Sequence, residues 1–206
     1  MQELFFDPKS SRGPSDFDIR HNFTLNYIWQ LPDIKTGAKP LRALANGWQW
    51  GGTFRVATGT PFTPQIGGDP LGMKSSSTFD RPDVVTGVGC DDSLVNPGNA
   101  LHYIKTQCFA FPTSVTRFGN AGRDILTGPG LADFDTSLFK NIKMTERFHA
   151  QFRSEFFNIL NRANLAPPVQ NTSLFGANGS PVATAGLITS TLTTSRQIQF
   201  GLKLLW

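Results

Sequence analysis

Five stretches of this chain alternate apolar and polar residues with a period of two, and their apolar positions are rich in aromatics. Successive side chains of a strand point to opposite faces, so each stretch reads as a strand with one greasy side. In "DIRHNFTLNYIWQLP", His21, Phe23, Leu25, Tyr27, Trp29 and Leu31 oppose Arg20, Asn22, Thr24, Asn26 and Gln30, with Ile28 the exception. In "NGWQWGGTFRVATG", Trp48, Trp50, Gly52, Phe54 and Val56 oppose Gln49, Gly51, Thr53, Arg55 and Ala57. "DFDTSLFKNIKM" is weaker, with Phe134, Leu138, Ile142 and Met144 against Asp135, Ser137, Asn141 and Lys143. "RFHAQFRSEFFN" sets Phe148, Ala150, Phe152, Ser154 and Phe156 against Arg147, His149, Gln151, Arg153 and Glu155. The chain ends on "RQIQFGLKLLW", with Ile198, Phe200, Leu202, Leu204 and Trp206 on one face.

Phe148, Phe152, Phe156 and Ile159 also fall near a helical spacing, but the period-two alternation is cleaner and aromatics favour strands. Composition agrees with an all-β fold. The 206 residues include 18 Phe and 4 Trp, with 20 Gly and 14 Pro to make turns. Charged residues are 17% of the chain, below the roughly 25% of average soluble domains. The net charge of +4 is spread along the chain, with no basic run that points to nucleic acid.

The connections alternate in length. "KMTER" is very short, and "PDIKTGAKPLRALA" is moderate and polar. Residues 58–132 and 161–194 are long and rich in Gly, Pro, Ser and Asp. Loops this long count against a compact soluble domain. Transmembrane β-barrels, by contrast, have short periplasmic turns and longer extracellular loops, and each strand needs only ~9–11 residues to cross. No run of ~18 apolar residues is present for a transmembrane helix. Tyr27, Trp29 and Trp206 fall at the short-turn end, where barrels carry an aromatic girdle. Period alone does not separate this barrel wall from a soluble secreted β-sandwich that binds carbohydrate, in which the Phe and Trp faces form the core.

Cys90 and Cys108 sit in one loop-like segment. They read as a disulfide closing that loop, with two free thiols as the alternative. The loop aromatics Phe79, Tyr103, Phe109 and Phe111 fit either a ligand-stacking surface or a small core of the loop itself.

Catalytic sets are not found. His21, His102 and His149 lie in no metal-ligand spacing, and "TGTPFT" and "GNAGRD" lack the phosphate-loop lysine. His149 and Glu155 share a strand face but stand about 20 Å apart at ~3.3 Å per residue. "DDSLVNPGN" lacks the spacing of a calcium loop. Neither an enzyme nor a cofactor is expected.

"GPSDFDIRHNFTLNYIWQLP", "GWQWGGTFRVATGTPFTP", "FGNAGRDILTGPGLADFDTSLFKN" and "ERFHAQFRSEFFNILNRANLAPP" resemble the C-terminal strands of Oar-like TonB-dependent outer-membrane receptors. The resemblance runs from about Ser10 to Trp206 and is most specific from Phe118 to Pro168. It implies a piece of a large antiparallel transmembrane β-barrel, here about five C-terminal strands with two long extracellular loops. The location implied is the cell outer membrane. The implied role is uptake or surface traffic of a large solute such as a siderophore, an oligosaccharide or a peptide. The alternatives are the soluble sandwich and a non-transporting surface or adhesion barrel.

The terminal aromatic strand is similar to the signal read by the outer-membrane assembly machinery, which implies that role for Phe200, Leu202, Leu204 and Trp206. Arg55, Arg147, His149, Arg153 and Glu155 are then polar groups facing the lumen. Outer-membrane lipid is the expected surroundings. TonB would be reached only through an N-terminal part. Residues 1–206 are therefore expected to be the C-terminal part of a longer receptor, whose plug and export signal are not in this sequence. Five strands fall short of the eight that the smallest single-chain membrane barrels use.

Overall fold

The computed structural model describes residues 12–72, 80–113 and 117–206. In chain order its strands are β1 (Asn22–Gln30), β2 (Trp48–Ala57), β3 (Pro61–Phe62), β4 (Gln65–Ile66), β5 (Asp83–Val84), β6 (Phe109–Ala110), β7 (Leu126–Thr127), β8 (Leu131–Lys143), β9 (His149–Phe157), β10 (Ser173–Phe175) and β11 (Gln197–Leu205). One α-helix, α1 (Lys39–Ala45), lies between β1 and β2.

The chain forms two compact units: a sheet unit of residues 22–57, 131–164 and 192–206, and a loop unit of residues 1–21, 58–130 and 165–191. The five long strands are the five alternating stretches. They make one antiparallel sheet in the order β1-β2-β8-β9-β11. It is open, with β1 and β11 as its edges.

Register decides what the alternation means. Phe23 pairs with Val56, Leu25 with Phe54 and Trp29 with Trp50. Phe54 pairs in turn with Phe134, and Trp50 with Leu138. Ile142 pairs with Ala150, which pairs with Leu204, and Phe152 pairs with Leu202. Paired residues share a face, so the greasy sides of all five strands lie on one face of the sheet. The other face carries Arg55, Asp133, Asp135, His149, Arg153, Glu155 and Lys203.

The two long connections leave from one end of this sheet, because Ala57 pairs with Leu131 and Phe157 with Gln197. The connection through α1, the turn at residues 144–148 and Trp206 are at the other end, as the pairs Gln30–Gln49, Lys143–His149 and Leu205–His149 require. Tyr27, Trp29, Trp48, Trp50 and Trp206 gather towards that end.

Two of the strand starts read from sequence shift. Arg147 and Phe148 lie in the turn before β9, where Thr145 Oγ1 accepts both of their amides (3.3 and 3.0 Å). His21 lies before β1. Turn hydrogen bonds claim Arg147 and Phe148 before the ladder does, while His21 bonds Thr58 through its amide (3.1 Å) and its carbonyl. The β1–β2 connection, which the sequence marks only as moderate and polar, is helical in its second half, α1, with Pro40 in the first turn followed by good helix formers.

The loop unit is not slack chain. The segments 58–130 and 165–191 build one core of Phe62, Tyr103, Ile104, Cys108, Phe109, Leu126, Leu174, Ala185 and Ile188. They join through a parallel pair of β10 with β4 and through backbone bonds Tyr103 N–H to Gly186 O (3.1 Å) and Ile188 N–H to Ala100 O (2.8 Å). Gly186 has φ +75°, and a Cβ there would stand 2.6 Å from the Ile104 nitrogen, so only glycine allows this approach.

Candidate functional site

The feature that asks for a function is the sheet's two unlike faces. On the apolar face the large side chains stay uncovered: Phe200 is 68% exposed, Leu202 67% and Phe23 56%. Small isolated apolar residues on a surface are ordinary, but a contiguous patch spanning five strands is a contact surface. In a sandwich these side chains would be the core. Here the core lies in the loop unit instead.

The polar groups on the apolar face are tied to protein. The Thr136 hydroxyl accepts from Trp50 Nε1 (2.7 Å), meets the Tyr27 hydroxyl (3.3 Å) and donates to Gly51 O (3.1 Å). Ser154 Oγ donates to Leu138 O (3.2 Å). Tyr27 reaches Thr136 by lying across Gly52, where a Cβ would come within 2.8 Å of its hydroxyl. Lys140, on the same face, is 6% exposed, and its ammonium donates to the carbonyls of Ala43 (2.7 Å), Leu44 (3.1 Å) and Asn46. Such satisfaction is what a face turned to hydrocarbon requires, because no water is there to bond.

The other face holds a cleft of about 370 Å³ lined by Asn26, Gln49, Thr53, Asp135, Ser137 and Glu155 together with Ile28, Phe139 and Phe157. Side chains of this face, in and beyond the cleft, form hydrogen bonds with one another. Thr53 Oγ1 donates to Asn26 Oδ1 (2.8 Å), Gln151 Nε2 to Asn141 Oδ1 (2.8 Å), Arg153 Nε to Gln151 Oε1 (2.7 Å) and Gln199 Nε2 to Glu155 Oε2 (2.6 Å). The Arg153 guanidinium also lies 5.4 Å from the Phe139 ring centre. Arg153 and Glu155 sit on one strand, and each has an amide as its partner.

Of the five polar residues singled out in the sequence, Arg55, His149, Arg153 and Glu155 share this face, with Arg55 paired in register to Asp133. Arg147 does not, being in the turn. Phe200, Leu202 and Leu204 lie on the apolar face of β11, and Trp206 follows the strand, 87% exposed.

In the loop unit, Cys90 and Cys108 are bonded, with Cα atoms 5.5 Å apart. Tyr103 and Phe109 belong to that unit's core, 2% and 5% exposed, so they form no ligand-stacking surface. Phe111 packs edge-on to Phe175. Phe79 lies outside the described residues. Among the described residues no cluster of three or more His, Cys, Asp or Glu is placed to hold a metal.

"GNAGRD", which lacks the phosphate-loop lysine, supplies part of a clamp through Asn120. Arg117 binds both oxygens of Asp83 (2.8 Å each), the Asn120 amide donates to Asp83 Oδ1 (2.9 Å), and Asn120 Oδ1 accepts from the Val84 amide (2.6 Å). Beside it, Arg123 bonds Asp16 and Asp124, while Thr63 and Asp124 bond each other (2.7 and 2.9 Å). The Arg117 guanidinium, chiefly by hydrogen bonding, holds the Asp83 carboxyl below the usual carboxylate range. Arg123 does the same for Asp16. The spacing from Asp83 to Arg117 hides this pairing in the sequence, since it joins residues 34 apart.

The family model described as an outer membrane beta barrel domain matches residues 2–199. No curated protein and no solved structure matches the chain.

Proposed function

The chain belongs to the outer membrane beta barrel domain family and is located in the outer membrane, and from that premise we propose that it is a C-terminal wall segment of an Oar-like TonB-dependent receptor. Its solute would be large, such as a siderophore, an oligosaccharide or a peptide. The observation that carries the membrane orientation is the pair of unlike faces. One is broad, apolar and exposed, with its hydroxyls and its ammonium bonded internally. The other is charged and netted by hydrogen bonds. In this reading the apolar face meets lipid. The polar face, with Arg55, His149, Arg153 and Glu155, lines the lumen.

The open edges of β1 and β11 support a larger barrel, because an unpaired backbone group in lipid costs several kcal/mol. Receptors of the TonB-coupled kind close with 22 strands, so the remaining strands and the plug would come from the rest of the protein. Energy coupling through TonB would act on that plug. No residue of this segment performs the step. The disulfide-bonded loop unit would meet the solute outside the cell. Phe200, Leu202, Leu204 and Trp206 would present the assembly signal to the insertion machinery.

The test is a blot of fractionated native membranes with an antibody to the loop between Cys90 and Cys108. A band several-fold heavier than 22.6 kDa in the outer membrane, shifting in mobility on heating, supports the receptor. Loss of solute uptake in a strain lacking TonB then separates a transporter from an adhesion barrel. A soluble band at the mass of the chain overturns the reading.

A further inference from the structure

The connection between β1 and β2 is a fixed structure of its own. Asn46 Oδ1 accepts the Ile34 amide (2.7 Å) while its Nδ2 donates to Ile34 O (3.0 Å), and Asp33 Oδ1 accepts the Gly47 amide (3.1 Å). The C-terminal end of α1 is then fastened to the sheet by two side chains. Trp48 Nε1 donates to Leu44 O (2.8 Å), and Lys140 Nζ donates to Ala43 O, Leu44 O and Asn46 O. Lys140 also stands 5.3 Å from the Trp48 ring centre.

Trp48 and Lys140 are register partners on the apolar face. The helix end is therefore drawn to the apolar side of the wall, not to the polar side. A cation on a greasy face is explained at once: it neutralises the negative end of a helix. What α1 and its flank leave outward is mixed. Leu44 is 70% exposed, Leu41 55% and Ile34 45%. Among them stand the exposed Lys35 and Lys39 and the half-buried Arg42, while the one acid of residues 31–47, Asp33, is engaged by the Gly47 amide.

We propose that this segment is an in-plane membrane anchor, which lays Leu41, Leu44 and Ile34 into the inner leaflet and binds anionic phospholipid headgroups through Lys35, Lys39 and Arg42. Apolar residues interleaved with basic ones are the composition of interfacial segments. Two observations select lipid as the occupant. The helix that carries the exposed leucines is fastened to the sheet's apolar face through Trp48 and Lys140, and residues 31–47 hold three basic side chains against one acid. The inference rests on that face meeting lipid.

The experiment uses the full-length protein, purified from outer membranes and reconstituted into vesicles of phosphatidylethanolamine with phosphatidylglycerol. Cys90 and Cys108 stay oxidised and unlabelled. An environment-sensitive fluorophore is placed at Leu44→Cys in one sample and at Leu202→Cys in another, and quenching by spin-labelled lipid is compared with quenching by aqueous iodide. Shallow lipid quenching at position 44 with deep lipid quenching at 202 supports the anchor. The charge assignment further expects loss of lipid quenching at 44, but not at 202, in phosphatidylcholine vesicles or with Lys39→Glu and Arg42→Glu together. Lipid quenching at 202 with iodide quenching at 44 overturns the anchor alone. Equal lipid quenching at 44 in neutral vesicles overturns the headgroup preference. Iodide quenching at 202 overturns the lipid-facing assignment, and the anchor with it.

Discussion

Asp83 shows how much of the loop unit hangs on single side chains. Its carboxylate ties Arg117 and Asn120 together, and Asn120 ties back to Val84. Because the folded carboxyl titrates below its unfolded value of about 3.9, its contribution is present above that pH and is lost as pH falls through the lower, folded value. Protection of the Val84 and Asn120 amides against hydrogen exchange, measured relative to the unstructured chain at the same pH, should therefore fall on acidification below about pH 4. In Asp83→Asn that protection should already be low at neutral pH and respond less to acid. An unchanged profile in the variant would show that the clamp is idle. Tyr103 titrates in the opposite sense. Burial pushes its phenol up to about 12, and its hydroxyl donates to Thr127 O (2.8 Å). Its contribution is whole below about pH 10 and goes as pH climbs to about 12. An absorbance titration should thus resolve a late-ionising tyrosine that disappears in Tyr103→Phe.

At the scale of the element, β11 is the sharpest test of what each face meets. Leu202 lies on the apolar face opposite Phe152, while Lys203 points the other way, opposite Gln151. A cationic residue on the lipid side of a barrel costs about 2–4 kcal/mol at mid-membrane. Leu202→Arg should lower the stability of the membrane-inserted protein by about that amount. Lys203→Gln should stay within about 0.5 kcal/mol of the parent. Denaturant titration in vesicles reads both. Equal effects would remove the distinction between the faces. The stacked pair Phe152–Phe200 beside these positions shows the same one-sidedness, with ring centres 6.1 Å apart.

For the whole molecule the disulfide matters most in the loop unit. It closes a segment of 18 residues next to a core that draws on both long connections. Constraining a loop of that length contributes about 3 kcal/mol through the unfolded state. Reduction, or Cys90→Ser with Cys108→Ser, should expose residues 58–130 to protease. The ladder of β8, β9 and β11 should keep its protection, because its hydrogen bonds lie within the sheet unit. Cleavage of both units at one rate would count against separate cooperativity. The bond also agrees with an outer-membrane location, since disulfides persist outside the reducing cytosol.

Much of this was legible in the residues alone. Alternation is local: Phe200, Leu202 and Leu204 announce their shared face within one strand, so the five strands and their polarity can be read in one dimension. The short and long connections follow from the same pattern. The sequence is mute on what needs two distant segments at once. Nothing near Lys140 says that it caps a helix about a hundred positions earlier, and nothing near Tyr103 says that Gly186 meets its amide. The co-folding of the two long loops, the Asp83 clamp and the buried state of Tyr103 and Phe109 belong to that class. Side-chain period is fixed by the geometry of one strand, and the sequence determines it. Register, loop packing and ion pairing are contacts between segments, and only the tertiary structure decides them.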